Sequence, residues 1–597
     1  MTYSQDSLFP EPQGTWRAPA SLPELSAYDR LAWDTETTGL DVLHDKPVGT
    51  SLRTPDGKRW YLPWGHRGGG NLDEGLCKRW TQRELRGKEL IGANVKFDHH
   101  MFLNWGVDLE AQGCKFRDVQ YQAALLDDHR RSVRLDLLAQ ERLGRKKLAL
   151  PDKLRLADLP ASLVGPYAEE DADLTWCVFE AQQPDIIAQD LTRVQDLEDA
   201  LTPVTTYMER QRVHLDVPKL KRWRQEVTEE YSRRIIHVAQ ETGVRVNPSA
   251  PNSVGRLLEA LKVKFDRTSS GIPSITDQFL KSIDNPLVRE VNEARQLDSL
   301  RSKYLDKYAR ALLLDLLAYQ LHQLRGDEYG TISGRYSSSN VNIQQVFHPE
   351  KQLEKFGELL SRWIVRELFV PAPGARWLSA DANQIEYRLV AHYANSHRLL
   401  KAYNEDPNAD FHQVVAAMVH MTRKRAKNVN YGKVYGMGRD KMAAMIGLPR
   451  REELTVDYVS EEVTPTADGC FEAYDREFPE IRRLMNRCME IAKRRGYVHT
   501  LMGRLARFPD GQRLHSALNR VVQGSAAEIM KLKLLELYRE QKSLGFNLRF
   551  TVHDEVDGDL YEPDNVPKIK ELLNAPCLPL KVPITWEVSV GDNWRLA

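Results

Sequence analysis

Residues 423–436, RKRAKNVNYGKVYG, repeat one arrangement every four positions. The side chains that recur are those of Arg423, Lys427, Tyr431 and Tyr435. On an α-helix, residues four apart share one face, because that spacing exceeds a full turn by only about 40°. The pattern therefore predicts a helix that presents two cations followed by two aromatic rings. A buried face would be aliphatic, so this face is predicted to bind a molecule with a charged end and a flat end.

The composition limits the class of protein. The chain has 597 residues, of which 42% are hydrophobic and 28% are charged, as in globular proteins of several domains. We find no apolar run near the roughly 20 residues of a membrane helix and no secretory signal pattern. Six scattered cysteines without a CxxC pair fit a reducing compartment and argue against a zinc ribbon or a disulfide framework. We therefore expect a cytoplasmic protein without a membrane anchor.

The formal net charge is zero, which is weak evidence against a nucleic-acid partner. Electrostatic steering depends on where the charges lie and not on their sum. Locally the balance is broken, because basic residues are concentrated between positions 482 and 507. Taken alone, such a run is most simply a solvated helix face.

The first of three acidic constellations lies in LAWDTETTGL, residues 31–40. An apolar strand carries Asp34 and Glu36, which point to the same side because side chains alternate along a strand. Two neighbouring carboxylates repel each other, so this pair is predicted to need a cation.

Two further pairs follow within the same α/β pattern. Asn94 and Asp98 in NVKFD are four residues apart, as are Tyr167 and Asp171 in YAEEDADLT, and each pair is expected on one helical face. Any one of these residues alone is more simply a helix cap or a surface acid. Their order changes that interpretation, because together they resemble the proofreading exonucleases of the DEDD superfamily, tyrosine-containing branch, over about residues 31–180. The resemblance implies that two divalent metals are held by Asp34, Glu36, Asp98 and Asp171, that Tyr167 orients the attacking water, and that Asn94 contacts DNA.

The other two acidic constellations follow apolar strands later in the chain. The first is WLSADANQIEYRLVAHY, in which Asp381 follows an apolar strand and precedes Gln384 and Glu386. The second is LRFTVHDEVDGDL, in which an apolar strand leads to His553 and Asp554. In isolation, the second of these segments is more simply a hairpin with an acidic turn. The helix of residues 423–436 lies between them in sequence. A row of cations and aromatic rings beside carboxylates that share metal ions would fit a nucleoside triphosphate.

These segments resemble family A DNA polymerases, the DNA polymerase I family. The resemblance rests on DANQIEYR, the R-x-x-x-K-x-x-x-Y-x-x-x-YG row and VHDE, in that order behind an exonuclease pattern. Supporting segments follow the family along nearly the whole chain after residue 200; they are GTISGRYSSSNVNIQQV, RGYVHTLMGRLARFP, LNRVVQGSAAEIMK and WEVSVGDNW. So many ordered motifs are not expected by chance.

The resemblance assigns the catalytic residues by position. Asp381 and Asp554 would bind two Mg²⁺ ions, with Mn²⁺ as an alternative, and Glu555 would support them. Arg423 and Lys427 would hold the triphosphate. Lys427 would also neutralise or protonate the pyrophosphate leaving group.

The nucleotide site is completed by side chains around the sugar and base. Glu386 would be a steric gate that excludes a 2′-hydroxyl, and Tyr435 would pack beside the nascent base pair. His412 resembles a further triphosphate contact, and Gln384 is also expected to bind the dNTP. Tyr431 stands where the family has Phe or Tyr; its hydroxyl would replace the missing 3′-OH of a dideoxynucleotide, so we expect chain terminators to be incorporated easily.

The resemblance also implies contacts with primer–template DNA. Minor-groove acceptors are present in every correct base pair, so contacts there test pair geometry without reading sequence. The residues expected to make them are Arg335, Asn519, Gln523 and His553. No 5′ nuclease pattern precedes the exonuclease pattern, so we do not expect flap removal.

The predicted fold is multidomain α/β and α+β, with an RNase H-like DEDD exonuclease domain followed by a right-hand polymerase of thumb, palm and fingers. The predicted domains are an N-terminal arm (1–28), the 3′-5′ exonuclease domain (29–190), the thumb (191–325), the first part of the palm (326–395), the fingers (396–510) and the second part of the palm (511–597).

The short link from His412 to Arg423 favours the bacteriophage replicative branch. We expect a monomer that acts on primer–template DNA and dNTPs, away from membranes. A replicative helicase or single-strand-binding protein is left open as a partner.

Three alternative functions were weighed. A DNA-binding scaffold with decayed sites should have lost carboxylates, and all the predicted acids are present. An exonuclease whose second half only grips DNA would not need the face of Arg423, Lys427 and Tyr431. An RNA polymerase is disfavoured by Glu386 and by the attached exonuclease pattern.

Overall fold

The structure is a computed structural model that describes residues 15–150, 153–326, 330–418, 421–448 and 466–597. Residues 1–14 of the predicted arm and residues 449–465 of the predicted fingers lie outside this set. Within the described residues, no helix is both long enough and apolar enough to span a membrane.

The first domain is built on a five-stranded sheet of order β3-β2-β1-β4-β5, in which β1 runs antiparallel to β2 and parallel to β4. Its strands are β1 Arg30–Thr37, β2 Pro47–Arg53, β3 Arg59–Pro63, β4 Glu89–Gly92 and β5 Lys115–Asp118. Its helices are α1 Glu74–Glu84, α2 Val95–Asn104, α3 Val119–Leu126, α4 Leu135–Leu143 and α5 Ala161–Ala188.

Alternation along β1 separates the two faces of this sheet. Trp33 is buried in a core with side chains of α1 and α2, whereas Ala32 belongs to the core on the opposite face. Asp34 and Glu36 continue the Ala32 side of the strand. Because α5 lies across β1, β2 and β3, it brings Asp171 to these two carboxylates.

A mainly helical segment follows the first domain. It contains α6 Thr192–Gln211, β6 Val213–Leu215, α7 Val217–Thr242, α8 Pro251–Ala260, α9 Asp277–Ser282, α10 Pro286–Leu300, α11 Asp306–Ala311, β7 Leu312–Leu313, β8 Leu316–Leu317 and β9 Gln320–His322. The boundaries of α7 follow from its sequence, since Asp216 accepts a hydrogen bond from the N–H of Lys219 at 2.9 Å and Gly243 ends the helix at φ 69°. α7 packs along α10, and their ends form a small separate core with α8 and α9.

The remaining chain builds a second sheet and a group of helices beside it. The elements are β10 Ser337–Ser339, α12 Pro349–Phe356, β11 Phe369–Val370, β12 Arg376–Ala382, α13 Ile385–Ala394, α14 His397–Glu405, α15 Phe411–Met418, α16 Arg423–Val434, α17 Arg439–Ile446, α18 Ala467–Glu477, α19 Pro479–Arg495, β13 Tyr497–His499, β14 Leu505–Arg507, α20 Ala517–Leu544, β15 Phe546–Val552, β16 Glu555–Leu560, α21 Val566–Asn574 and β17 Trp586–Gly591. The main sheet is antiparallel, of order β15-β16-β12-β17, and packs on α20. Three smaller sheets have the orders β11-β6-β8-β7, β10-β9 and β13-β14.

The position of α6 differs from the sequence prediction. The predicted thumb starts at residue 191, but α6 packs against α20, β15 and the first-domain helix α2. Its apolar side is therefore buried between the first domain and the second sheet, and the separate helical core begins with α7. The sequence pattern shows that α6 is amphipathic without showing which partner covers it.

A buried ionic cluster joins α6 to the second half of the chain. The carboxylate of Glu198 accepts hydrogen bonds from Lys531 of α20 at 2.6 and 2.8 Å and from Arg504, just before β14. Lys531 also donates to the carbonyl of Gln323 at 2.9 Å. Glu198 and Lys531 are almost fully buried, so each depends on the other for its charge to be tolerated.

We predict that Glu198→Ala lowers the free energy of unfolding by about 3–5 kcal/mol, because Lys531 would stay buried without its ion-pair partner and Arg504 would be left with Glu528, at 3.7 Å. Urea unfolding followed by tryptophan fluorescence measures this difference. Glu241→Ala on the exposed side of α7 is the control and should change the free energy by no more than about 0.5 kcal/mol. Equal stability of the two variants would contradict the role assigned to Glu198.

Candidate functional site

The first candidate site lies where β1 meets α5. Ligand oxygens of Asp34, Glu36 and Asp171 lie within 4.8 Å of one another. Asp98, on α2, is next to this group, and its Oδ1 accepts a hydrogen bond from the hydroxyl of Thr35. Three of the four acids predicted as metal ligands are thus gathered in one group, and the fourth lies beside it.

The electrostatics of this group are unfavourable without a cation. Burial, followed by the charge of Asp171, raises the pKa of Asp34 to about 7. Burial and the charge of Asp34 raise the pKa of Glu36 well above its ordinary value. The pKa of Asp98 is raised for the same two reasons. Each group favours its neutral form because the others are close and water is largely excluded.

The donor set fits a divalent cation. Among the described residues, Glu36 Oε1 and Asp98 Oδ2 are buried without a hydrogen-bond partner. Such orphaned oxygens are rare in folded proteins and call for a ligand. Carboxylate oxygens at this spacing are the donors that Mg²⁺ and Mn²⁺ prefer.

Lys147 is a residue of this site that the sequence analysis missed. Its ammonium forms an ion pair with Asp171 and lies 4.9 Å from the centre of the Tyr167 ring. In sequence, Lys146 and Lys147 look like an ordinary surface doublet. Only the fold shows that the second lysine points into the acidic group.

Asn94 is placed differently from the helical pair in the prediction. It precedes α2 with a left-handed φ of 71°, so Asn94 and Asp98 do not form a pair within the helix. Asp118 accepts hydrogen bonds from the backbone N–H groups of Asn94 and Val95 at 3.2 and 2.9 Å, which fixes the start of the helix. Asn94 lines a cleft of about 360 Å³ between the first domain and the segment around β9.

The second candidate site lies on the main antiparallel sheet. Asp381, near the end of β12, is in register with Glu555 of β16 on one side and with Glu587 of β17 on the other. Asp554 occupies the turn between β15 and β16, next to His553, which has a left-handed φ of 56°. Part of the surface of Asp381 faces solvent, yet the surrounding protein and the charges of Glu555, Asp554 and Glu587 raise its pKa to about 7. The sequence analysis did not identify Glu587.

Glu555 is held by structural partners. Arg366 donates to both carboxylate oxygens at 2.8 Å, and Ser379 and Trp594 donate to Oε1 at 2.6 and 2.8 Å. Burial favours the neutral form, but the guanidinium of Arg366 keeps the pKa of Glu555 below its ordinary value. Glu555 is therefore a fixed negative charge beside Asp381. Arg366 carried no signal in the sequence, and Trp594 ends the segment WEVSVGDNW without having been assigned to this site.

Arg335 connects the acidic turn to α13. Its guanidinium lies 2.6 Å from Glu386 Oε1 and 3.1 Å from Asp554 Oδ1. The backbone N–H of His553 donates to Gln344 Oε1 at 3.2 Å, and the side chain of Gln344 donates to the carbonyl of Thr551 at 2.6 Å. The segment GTISGRYSSSNVNIQQV, singled out in the sequence, thus fixes the turn that carries Asp554.

The predicted row of side chains lies on one helix. α16 begins after Thr422, whose hydroxyl accepts from the N–H of Arg425, and Tyr435 is the residue that caps its end. Arg423 is paired with Asp410 at 2.5 Å, and Lys427 is half-buried one turn further on. The rings of Tyr431 and Tyr435 are stacked with centres 5.7 Å apart.

The aromatic end of this row lies next to the acids of the second site. The hydroxyl of Tyr435 donates to Glu386 Oε2 at 2.9 Å. Burial and the nearby carboxylates of Glu386, Asp554 and Asp381 raise the pKa of Tyr431 to about 12. Lys427 and Arg423 lie one and two turns before Tyr431 on α16. Along α16, the two cations thus come first and the two aromatic rings come last, as the spacing of these residues predicts.

His412 and Gln384 support this row from the side. His412 Nδ1 lies 2.9 Å from the amide nitrogen of Asn430, and its ring packs against Tyr431 with centres 5.9 Å apart. The amide of Gln384 is engaged by Asp410 and by the N–H of Phe411. Gln384 thus positions the segment that carries His412, and its amide is already occupied in this arrangement.

A cleft of about 1220 Å³ runs beside the second site. The four residues predicted to contact the minor groove of primer–template DNA, Arg335, Asn519, Gln523 and His553, all line it. Its cationic lining consists of Arg131, Arg325, Arg335, Arg507, Arg513, Arg520 and Lys531. Among the described residues that line the cleft there is no Asp or Glu. Several of these cations are paired with acids behind the lining, namely Lys531 with Glu198, Arg520 with Asp128 and Arg335 with Asp554, so the cleft offers cationic groups to a polyanion while much of their charge is already balanced.

Comparison with protein families gives two matches that together span most of the chain. The model described as DNA polymerase family A matches residues 217–596. The model described as 3′-5′ exonuclease matches residues 19–187. Both the predicted order of the two units and the predicted family are confirmed.

Phage relatives match along nearly their full length. A DNA-directed DNA polymerase of Pseudomonas phage M6 is 29% identical, covering 100% of this chain and 98% of the relative. DNA polymerase DpoZ of Salmonella phage PMBT28 is 28% identical over 96% of this chain and 98% of its own. A solved structure of the POL domain of Pol1 from M. smegmatis, in complex with DNA primer-template and dNTP, superposes with a TM-score of 0.80 over 98% of this chain and 100% of that chain. At 20% identity, this superposition is evidence for the fold.

We predict that ionisation of Asp34 destabilises the metal-free protein. Its pKa is raised from 3.8 to about 7 in the folded state, so the folded state holds this proton more tightly than the unfolded chain does. Stability is therefore lost as the pH rises between those two values and stays lower above them. In EDTA, the free energy of unfolding of Asp34→Asn relative to wild type should rise by roughly 2–3 kcal/mol between about pH 5 and pH 8.

Urea unfolding at each pH measures this difference. The control is Asp29→Asn, at an exposed position just before the same strand, and its stability should run parallel to that of wild type. A pH-independent difference for Asp34→Asn would contradict the electrostatic account of the site.

Proposed function

The chain belongs to DNA polymerase family A and carries a 3′-5′ exonuclease domain, and we propose that it replicates phage DNA by two-metal phosphoryl transfer and removes mispaired 3′ ends. The observation that carries the proposal is that the chain has two separate groups of carboxylates, of which only the second lies beside the cations and aromatic rings of α16. The group of Asp34, Glu36 and Asp171 lies in the first domain, whereas Asp381 and Asp554 are close enough to Tyr431 of α16 to raise its pKa. The proposed nucleotide-binding residues of α16 thus accompany the carboxylates of the second site, and the carboxylates of the first domain form a separate site.

The carboxylates of each site would hold two divalent ions, Mg²⁺ or Mn²⁺, which supply charge stabilisation for the transferring phosphoryl group and lower the pKa of the attacking hydroxyl or water. The ligands we propose are Asp381 and Asp554 at the polymerase site, and Asp34, Glu36, Asp98 and Asp171 at the exonuclease site.

In polymerisation, the face of α16 would bind the incoming dNTP. Arg423 and Lys427 bind the triphosphate with His412 beside them, and Lys427 neutralises the leaving pyrophosphate. Tyr431 and Tyr435 pack against the sugar and base. Glu386, held in place by the hydroxyl of Tyr435, excludes a ribose 2′-hydroxyl.

Arg335 would change partner when DNA binds. Without DNA it bridges Glu386 and Asp554, which places a cation where the acids need one. We propose that the minor-groove edge of the primer terminus takes over this guanidinium, together with Asn519, Gln523 and His553, which line the same cleft. Asp554 is thereby released for metal binding only when a primer end is present.

In proofreading, the unpaired primer end would enter the first domain. Tyr167 orients the water that attacks the terminal phosphodiester, and Asn94 contacts the strand at the mouth of the site. Both positions border the acidic group, since Tyr167 lies one turn before Asp171 on α5 and Asn94 precedes the helix that carries Asp98.

A replicative role in a phage is supported by relatives that match along nearly their whole length and are phage polymerases. We accordingly propose primer–template DNA and dNTPs as the substrates and the cytoplasm of the host cell as the place of action. Phosphate contacts in the basic cleft would make DNA affinity fall steeply with salt.

The two sites should be separable by single substitutions. With a 5′-labelled primer on a longer template and Mg²⁺, wild type should extend the primer when dNTPs are present and shorten it when they are absent. Asp381→Asn should slow extension by on the order of 10²–10³-fold or more while shortening continues. Asp34→Asn should do the reverse, so each variant is the control for the other. Loss of both activities in either variant would contradict two independent sites, and no activity in wild type would contradict the proposed function.

A further inference from the structure

Lys147 places a positive charge inside the exonuclease carboxylate group. Its ammonium pairs with Asp171, and its side chain is only 17% exposed. The same charge opposes the rise in the pKa of Asp34 and of Glu36. A single lysine thus offsets repulsion among three acids.

The chain around Lys147 is fastened along α5, so the direction of this side chain is built into the fold. Arg145 pairs with Asp173 at 2.9 Å and lies 3.7 Å from Glu170. The N–H of Leu148 donates to the carboxylate of Glu170 at 3.1 Å. Anchors on both sides leave Lys147 directed at the site, whereas the neighbouring Lys146 is exposed.

We propose that Lys147 is a DNA-binding residue of the exonuclease site, which neutralises the carboxylates before divalent ions bind and then contacts a phosphate at the 3′ end of the DNA. This inference rests on the proposed two-metal exonuclease function.

The exchange follows from the charges and the geometry. Divalent ions on the carboxylates of Asp171 and its neighbours repel the ammonium and take its partner. The lysine side chain is long and flexible, so its head can move while its stem stays beside the Tyr167 ring. Tyr167 is proposed to orient the water that attacks the terminal phosphodiester. The nearest anion for the displaced ammonium is then a phosphate of the bound strand.

Two substitutions separate the two parts of this role. Lys147→Met keeps the length and apolar stem but removes the charge, and Lys147→Arg keeps the charge. Lys146→Met is the matched control, because it removes a neighbouring charge that points to solvent.

All variants are made in an Asp381→Asn background, which weakens metal binding at the polymerase site. Far-ultraviolet circular dichroism spectra of all the variants should overlay that of wild type, which confirms that the chain folds.

The first measurement is Mn²⁺ binding to the DNA-free protein, followed by electron paramagnetic resonance. Lys147→Met should bind Mn²⁺ about tenfold more tightly, because the ion no longer competes with the ammonium for the Asp171 carboxylate. Lys146→Met should bind as wild type does. Unchanged Mn²⁺ affinity in Lys147→Met would overturn the proposal.

The second measurement is the single-turnover rate of shortening of single-stranded DNA at saturating Mn²⁺. We expect Lys147→Met to be slower by about 10-fold or more, Lys147→Arg to recover much of the rate, and Lys146→Met to match wild type. Tighter Mn²⁺ binding with an unchanged rate would show that Lys147 only fills the site before the metal does, and would overturn the role in DNA binding. Absence of shortening in wild type and in Lys146→Met would instead overturn the proposed exonuclease function itself.

Discussion

Repulsion between carboxylates that are crowded together is the constraint on which both candidate sites depend. At the first site Asp34, Glu36 and Asp171 converge, and at the second Asp381 lies between Glu555 and Glu587 across three strands. Neither arrangement is favourable by itself, as the raised pKa values of Asp34 and Asp381 show. Each becomes favourable when positive charge is supplied, which is the condition for metal-assisted phosphoryl chemistry.

The protein meets this constraint with its own cations while the metals are absent. Lys147 pairs with Asp171 at the first site, Arg335 bridges Asp554 and Glu386 at the second, and Arg366 fixes Glu555 beside Asp381. Lys147 and Arg335 also lie where a DNA strand is proposed to bind. Substrate and metal would therefore be coupled, because the phosphates and base edges of DNA attract the cations that metals displace.

Buried charges also hold the two halves of the molecule in fixed positions. Glu209 of α6 lies 2.6 Å from Lys96 and 2.7 Å from His100, both on the helix that carries Asp98, and these neighbours lower its pKa to about 2 against the effect of burial. Glu198 on the same helix is tied to α20 through Lys531. Burial of such pairs adds little net stability, but a misplaced partner is strongly unfavourable, so they favour one relative arrangement. α6 thereby fixes the distance between the two carboxylate groups.

Local periodicity was enough to predict the elements that carry the chemistry. The four-residue spacing gave the helix of Arg423, Lys427 and Tyr431, and the alternation of strand β1 gave the shared direction of Asp34 and Glu36. Contacts between distant segments could not be read from the sequence. Lys147 looked like a surface lysine, Arg366 carried no signal, Glu587 lies in the segment WEVSVGDNW without having been assigned to the site, and Gln384 proved to be engaged by Asp410 and Phe411. The packing of α6 was missed for the same reason, since an amphipathic pattern shows that a face is buried without identifying what buries it.

The central claim, that both carboxylate groups are built to hold divalent ions, is tested most directly by diffraction from crystals grown with primer–template DNA, a dNTP and Mn²⁺. Anomalous scattering at the manganese edge locates the ions without reference to the protein geometry. The account predicts peaks between Asp381 and Asp554 and among Asp34, Glu36, Asp98 and Asp171, with Lys147 and Arg335 moved away from their acidic partners. Occupied DNA and nucleotide sites without manganese at either carboxylate group would contradict it.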